Sequence, residues 1–121
     1  MAKIPLVDSS DNILGYSERS QIRQTDIYRV SVLWIQNYEN DRVLLAQRAL
    51  TKDHDPGKWE PAVAGTVEEG KTYLENILQE VREEIGLKIK ELDLKIGPKL
   101  FLDQGWTFFS SNIHSNIRFS Y

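Results

Sequence analysis

The chain has 121 residues, enough for one domain with a single core and too few for two. Its formal charge is −3, and that acidic balance argues against a nucleic-acid partner, whose backbone calls for a basic surface. It contains no cysteine, which removes disulfides, thiolate metal sites and cysteine nucleophiles together.

Met1 to Val7 turns polar at Asp8 before a signal-peptide core could form, and no later apolar run approaches membrane-spanning length, so a cytoplasmic protein with no membrane partner is expected. Ile4 to Val7 and Ile13 to Tyr16 flank the turn-forming cluster Asp8-Ser9-Ser10-Asp11-Asn12 and predict a small hairpin. Tyr28 to Ile35 is rich in β-branched and aromatic residues, and Val43 to Ala46 follows across the turn Asn37 to Asp41; these predict paired central strands. Arg48 to Trp59 contains Asp53-His54-Asp55-Pro56-Gly57, a loop signal. Pro61 to Gly65 is a short extended piece of small residues, which lets other groups approach its backbone closely.

The strongest element follows. Thr72-Tyr73-Leu74-Glu75 has the spacing of a capping box, Leu74, Ile77, Leu78, Val81 and Ile85 share one helical face, and Gly86 supplies a stop. Beyond it, Ile89 to Ile96 alternates as a strand, Gly97-Pro98 predicts a turn, and Leu100 to Leu102 with Trp106 to Phe109 could pair. There is no internal repeat.

Glu80, Glu83 and Glu84 lie at i, i+3 and i+4 on that helix, so their carboxylates project from one stripe and repel one another. A hard cation that prefers oxygen ligands, such as magnesium, relieves that repulsion; a solvated acidic face is the plainer alternative. The wider segment, residues 65–87, reads GTVEEGKTYLENILQEVREEIGL. It resembles the Nudix box, G-x5-E-x7-R-E-U-x-E-E-x-G-U with U apolar: Gly65, Glu80, Val81, Glu83, Glu84, Gly86 and Leu87 all occupy pattern positions. Lys71 stands where the box has its first glutamate, and Gln79 where it has arginine. The flanking runs Leu44-Leu45-Ala46-Gln47-Arg48 and Pro56-Gly57-Lys58-Trp59-Glu60 resemble the branch of the family related to isopentenyl diphosphate isomerase.

The resemblance implies one Nudix domain over residues 1–121, of α+β class, with a mixed sheet in an α/β/α sandwich. It also implies cleavage of the pyrophosphate bond in a small nucleoside diphosphate derivative, with Mg2+ or Mn2+ as cofactor. Carried onto this chain, Glu80 and Glu84 are the principal metal ligands, Glu83 a further ligand or water-activating base, and the Gly65 carbonyl an additional ligand. Gln79 takes the place of the group that orients the base, and Lys71 is a candidate for a substrate phosphate. Arg48 ends a strand just before the long loop, so it could reach a phosphate or equally form a surface ion pair. A neutral amide at residue 79 holds a carboxylate less firmly than a guanidinium, and Lys71 could either weaken metal binding or contact a phosphate.

The isomerases of the family use a cysteine and a histidine-rich metal site; this chain has no cysteine, and His54 and His114 are far apart. Trp34 and Trp59 could stack on a base, although aromatics in strand-like segments more often fill the core. The segment after Phe109 is rich in serine and asparagine and unlike the strand and helix with which relatives continue, so a missing carboxy-terminal strand and helix are expected. A sheet face or edge left bare would invite pairing with a second copy, as a homodimer. The departures at Lys71 and Gln79 and this ending keep a second reading open: a non-catalytic module of the same fold that binds a nucleotide or a protein.

Overall fold

A computed structural model describes residues 2–36, 43–52, 55–102 and 105–113. The turn expected at Asn37 to Asp41, the histidines His54 and His114, and the segment after Ile113 lie outside the described residues. The chain forms β1 (Ile4–Val7), β2 (Ile13–Ser17), β3 (Tyr28–Gln36), β4 (Val43–Gln47), β5 (Trp59–Pro61), β6 (Val63–Thr66), α1 (Tyr73–Ile85), β7 (Lys95–Leu102) and β8 (Gly105–Ile113).

Helix α1 starts where the sequence places it, because both halves of the capping box close. The Glu75 amide donates to Thr72 Oγ1 at 3.1 Å, and the Thr72 amide donates to Glu75 Oε1 at 3.0 Å. It ends at Gly86, whose φ of 72° is left-handed and unfavourable for a residue with a Cβ. Ile77 and Val81 are buried against Leu33, Ile35, Ala62 and Val63, which form the core under the helix. Removing each of these larger side chains from water contributes about 2 kcal/mol.

The predicted apolar face needs two corrections. Ile85 is exposed in the last turn, and Asn76, a polar residue, is buried in the first. The Asn76 amide is tolerated there because it is bonded: its Nδ2 donates to Ser31 Oγ at 3.3 Å and to the Gly65 carbonyl at 3.4 Å, and its Oδ1 accepts from the Glu68 amide at 3.4 Å. Ser31, also buried, donates to the Tyr73 carbonyl at 3.1 Å. These bonds tie β3 and β6 to the start of α1.

Strand β3 is the axis of a six-stranded mixed sheet of order β5-β4-β3-β8-β7, with β6 also on β3. Along one edge it pairs antiparallel with β6 (Val30 to Leu33) and then with β4 (Ile35 and Gln36); β8 runs parallel to it over its whole length. The pairing with β4 is therefore real but covers only two residues. Among the described residues α1 is the single α-helix, which gives an α+β fold with a mixed sheet.

Two carboxy-terminal expectations change. Residues 91–93 form a 3-10 turn, and β7 begins only at Lys95, so Gly97-Pro98 lies inside a strand rather than ending one. The register of β7 against β8 shifts between Ile96 and Lys99, which is how an edge strand absorbs a proline that lacks a ladder donor. A Cβ on Gly97 would stand 2.9 Å from the Phe109 carbonyl oxygen. Strand β8 in turn passes Phe109 and runs to Ile113 despite its serines. Ser110 is buried there and donates to the Val32 carbonyl at 3.0 Å, so pairing with β3 overrides weak strand propensity.

The predicted hairpin is present as β1 paired with β2. It is joined to the rest by the Val7 amide donating to the Ile27 carbonyl at 2.8 Å and the Glu69 amide donating to the Lys3 carbonyl at 2.8 Å. The hairpin turn carries Asp11, a non-glycine residue with φ of 64°. Its carboxylate accepts from Arg29 Nε at 2.8 Å, from Lys99 Nζ at 2.7 Å and from the Tyr73 hydroxyl at 2.9 Å. One side chain thus connects the hairpin, β3, α1 and β7.

Candidate active site

Gly65 on β6 lies against the middle of α1. A Cβ there would stand 2.7 Å from Glu80 Cδ and 2.9 Å from Glu80 Oε1, so the Glu80 carboxylate rests directly on the glycine. The need for glycine is one of space, since a larger residue would displace the carboxylate. One turn on, Glu84 shares a hydrogen bond with Glu80. The negative charge of each opposes ionisation of the other.

Partial burial and the negative charge of Glu80, together with that hydrogen bond and the charges of Glu60 and Glu83, push the Glu84 carboxyl up to about 7. Glu80 is also raised, by partial burial and by the charges of Glu83 and Glu68, against the lowering effects of its bond to Glu84 and of the Arg19 charge. Glu84 itself is at the surface, open to solvent on one side. Glu60 and Glu68 thus join the carboxylate group. Sequence reasoning missed both, although Glu68 lies inside the box and Glu60 inside a run already notable for its resemblance.

Glu83 has a different environment. Its Oε1 accepts from Gln79 Nε2 at 2.8 Å, an i to i+4 bond along the exposed side of the helix. Among the described residues, no three carboxylate or imidazole side chains converge on a common point, so Glu80 and Glu84 form a pair and Glu83 is turned toward Gln79. The Gly65 carbonyl accepts from Asn76 at 3.4 Å, a long bond.

Arg48 pairs with Glu60, Nη1 to Oε1 at 3.7 Å, and Glu60 is felt electrostatically at Glu84. The sequence-selected cation is therefore brought to the border of the carboxylate group through Glu60. Lys71 is not beside the pair. Its amide donates to the Glu68 carbonyl at 3.2 Å in the turn before α1, and its charge acts on Glu75. Trp59 is 64% exposed on β5 and is not a core residue, because the short strand leaves that face uncovered. Trp34 is half-buried on β3.

Fold and site together define an α+β domain in which one capped helix presents a carboxylate pair against a glycine at the centre of a mixed sheet. The NUDIX domain matches residues 27–114, and the chain belongs to that family. It is 29% identical to an uncharacterised Nudix hydrolase of Yersinia pestis over 69% of this chain and 46% of that protein. It is 30% identical to an isopentenyl-diphosphate Delta-isomerase of Salmonella heidelberg over 74% of this chain and 50% of that protein. The chain spans about half the length of these curated relatives. The fold is that of the Deinococcus radiodurans protein DR0079, with a TM-score of 0.82 at 21% identity over 95% of this chain and 74% of that one. It is also that of a MutT structure from a study of the Aliivibrio salmonicida and Vibrio cholerae proteins, with a TM-score of 0.60 at 23% identity over 73% of this chain and 66% of that one.

Proposed function

We propose that this domain hydrolyses the diphosphate bond of a small nucleoside diphosphate derivative, using a divalent cation held by Glu80 and Glu84. The observation that carries the reading is the carboxyl pair at the Gly65 ledge: two hard oxygen donors one helical turn apart, with Glu60 and Glu68 adding negative charge. Such a donor set fits magnesium or manganese. The bound ion would neutralise the diphosphate and lower the pKa of water. Glu83 is the base in this reading: Gln79 fixes its Oε1 and leaves Oε2 to accept a proton. Arg48 is the proposed phosphate contact, with Lys71 a more distant one and the Gly65 carbonyl an additional oxygen donor. No described helix is long and apolar enough to cross a membrane, and a cytoplasmic location and a homodimer remain part of the proposal.

A panel of nucleoside diphosphate derivatives with Mg2+ or Mn2+, read by phosphatase-coupled phosphate release, tests the reaction. Turnover of at least one member is the expected result. Folded protein that binds a nucleotide and turns over none supports the alternative, a non-catalytic module. That alternative is favoured by Lys71 and Gln79 in the box and by the absence, among the described residues, of a third converging carboxylate.

Two substitutions probe the site. Gly65→Ala introduces a methyl group where the Glu80 carboxylate lies. The side chain can yield, so the melting temperature should change by only a few degrees, while Mn2+ affinity falls roughly 10- to 100-fold, the range typical when the support of a metal ligand is lost. Unchanged affinity in a Mn2+ titration would remove Glu80 from the ligand set. Gln79→Arg should raise the catalytic rate about tenfold, equivalent to about 1.4 kcal/mol of transition-state stabilisation. It replaces a neutral donor to Glu83 by a charged fork. Lys71, whose charge acts at Glu75, does not occupy the place of the incoming guanidinium. A rate equal to that of the parent would exclude the amide as the limiting feature.

A further inference from the structure

The Glu80 carboxylate opens on its outer side into a hollow of about 220 Å3 whose walls include Arg19, Thr66 and Glu68. A second hollow of about 260 Å3 adjoins it, walled by Gln24, Tyr28 and again by Arg19 and Thr66. The two hollows share those two residues and so border one another, the first of them at Glu80. Arg19 stands at the junction, on the 3-10 turn Arg19–Gln21 that follows the amino-terminal hairpin. Among the described residues its one hydrogen bond is to Thr66 Oγ1, at a long 3.5 Å, and it makes no ion pair. A guanidinium left with most of its donors open across a hollow from Glu80 is placed to bind an anion lying between the two.

We propose that Arg19 binds the phosphate of the substrate farther from the Glu80–Glu84 pair, and that the group esterified to that phosphate lies in the second hollow, toward Gln24 and Tyr28. The inference rests on the metal-dependent reading given above and extends it to a residue outside the box. One end of a diphosphate is then held at the carboxylate pair through the cation, and the other by a bidentate guanidinium. A monoanionic ligand lacking the second phosphate would not span the two. Arg19 is on this view a binding residue, and it does not take part in proton transfer.

The alternative is that Arg19 only offsets the negative charge of Glu80 and Glu68. Two titrations of the full chain separate the cases: Mn2+ alone, and methylenediphosphonate, which is not hydrolysed, in saturating Mn2+. Arg19→Ala should weaken methylenediphosphonate binding about 10- to 100-fold while leaving the Mn2+ affinity unchanged or slightly tighter. Arg19→Lys should recover part of the loss, since it restores the charge and not the fork. Parental methylenediphosphonate affinity in Arg19→Ala overturns the proposal and leaves the metal-dependent reading standing. A parent protein that binds neither Mn2+ nor methylenediphosphonate overturns both. If Arg19→Ala tightens Mn2+ binding and leaves methylenediphosphonate binding unaltered, Arg19 is a counter-charge only, and the proposal fails. An equal melting temperature for the parent and both variants identifies the change as one of binding.

Discussion

Glu84→Gln should reduce turnover at least about 100-fold, the upper end of what loss of a residue supporting a metal costs, and should leave the metal-free protein as stable as before or more so. The two effects have one cause. Glu84 carries a carboxyl pushed up to about 7 by partial burial and by Glu80, Glu60 and Glu83, so at neutral pH its charge works against the folded state. An amide keeps the shape and removes the repulsion. It also removes a hard anionic donor from the proposed cation site.

The same shift sets a pH dependence. In the unfolded chain this carboxyl returns to its ordinary value of 4.5, so between about pH 4.5 and 7 the folded state binds more proton than the unfolded one. Stability from this group is present below 4.5 and is lost as pH rises through about 7. Melting of the metal-free parent at pH 5 and pH 8 should show that decline, and Glu84→Gln should flatten it. A cation competes with the proton that the raised Glu84 carboxyl binds, so Mn2+ affinity should rise across the same window. Normal turnover by Glu84→Gln would remove the residue from the reaction.

Asp11→Asn is expected to cost about 2–3 kcal/mol, below the full range for a broken buried ion pair because Lys99 remains partly in solvent. Asparagine tolerates the left-handed φ of 64° as well as aspartate does, so the change tests charge and hydrogen bonding and leaves the backbone alone. It leaves Arg29, whose side chain is only 18% exposed, without its anion. For a domain of this size the melting temperature should fall by roughly 10 °C. Burial alone would raise the Asp11 carboxyl, but bonds from Lys99, Arg29 and Tyr73 outweigh it and hold it below its usual 3.8. Its contribution is therefore present above 3.8 and is lost as pH falls through the lowered value. Urea melts at pH 7 and below pH 3 should show the gap between parent and variant closing in acid. An equal denaturation midpoint at pH 7 would mean that the four elements do not depend on this junction.

Local rules carried the reading where a feature is completed within a few residues. The capping box and Gly86 are set by spacing along one helix, and they stand where the sequence places them. Features that depend on distant partners were misplaced. Gly97-Pro98 has the composition of a turn, yet β8 holds it in a strand; Ser110 weakens strand propensity, yet the Val32 carbonyl gives its hydroxyl a buried partner. Asn76 is buried on the helix, and helical periodicity gives no sign of it because its partners Ser31 and Gly65 come from β3 and β6. The box points to Glu80 and Glu84 as proposed ligands, and the two interact in the structure, while Glu60 and Arg19, whose charges act on them, come from a strand and a turn whose positions no helical periodicity encodes.

The parallel pairing of β3 with β8 has a consequence for how the chain reaches this state. Everything from β4 through β7 lies between these two strands in the chain, so the sheet closes only through a contact of high sequence separation, the kind that slows folding. On the ribosome, β3 would wait for β8 for roughly several seconds at ordinary synthesis rates. During that interval the edge later filled by β8 is an unpaired template. Folding efficiency in the cell should therefore depend on how fast the last strand is delivered, and a fragment ending before Gly105 should aggregate even though it contains the whole box.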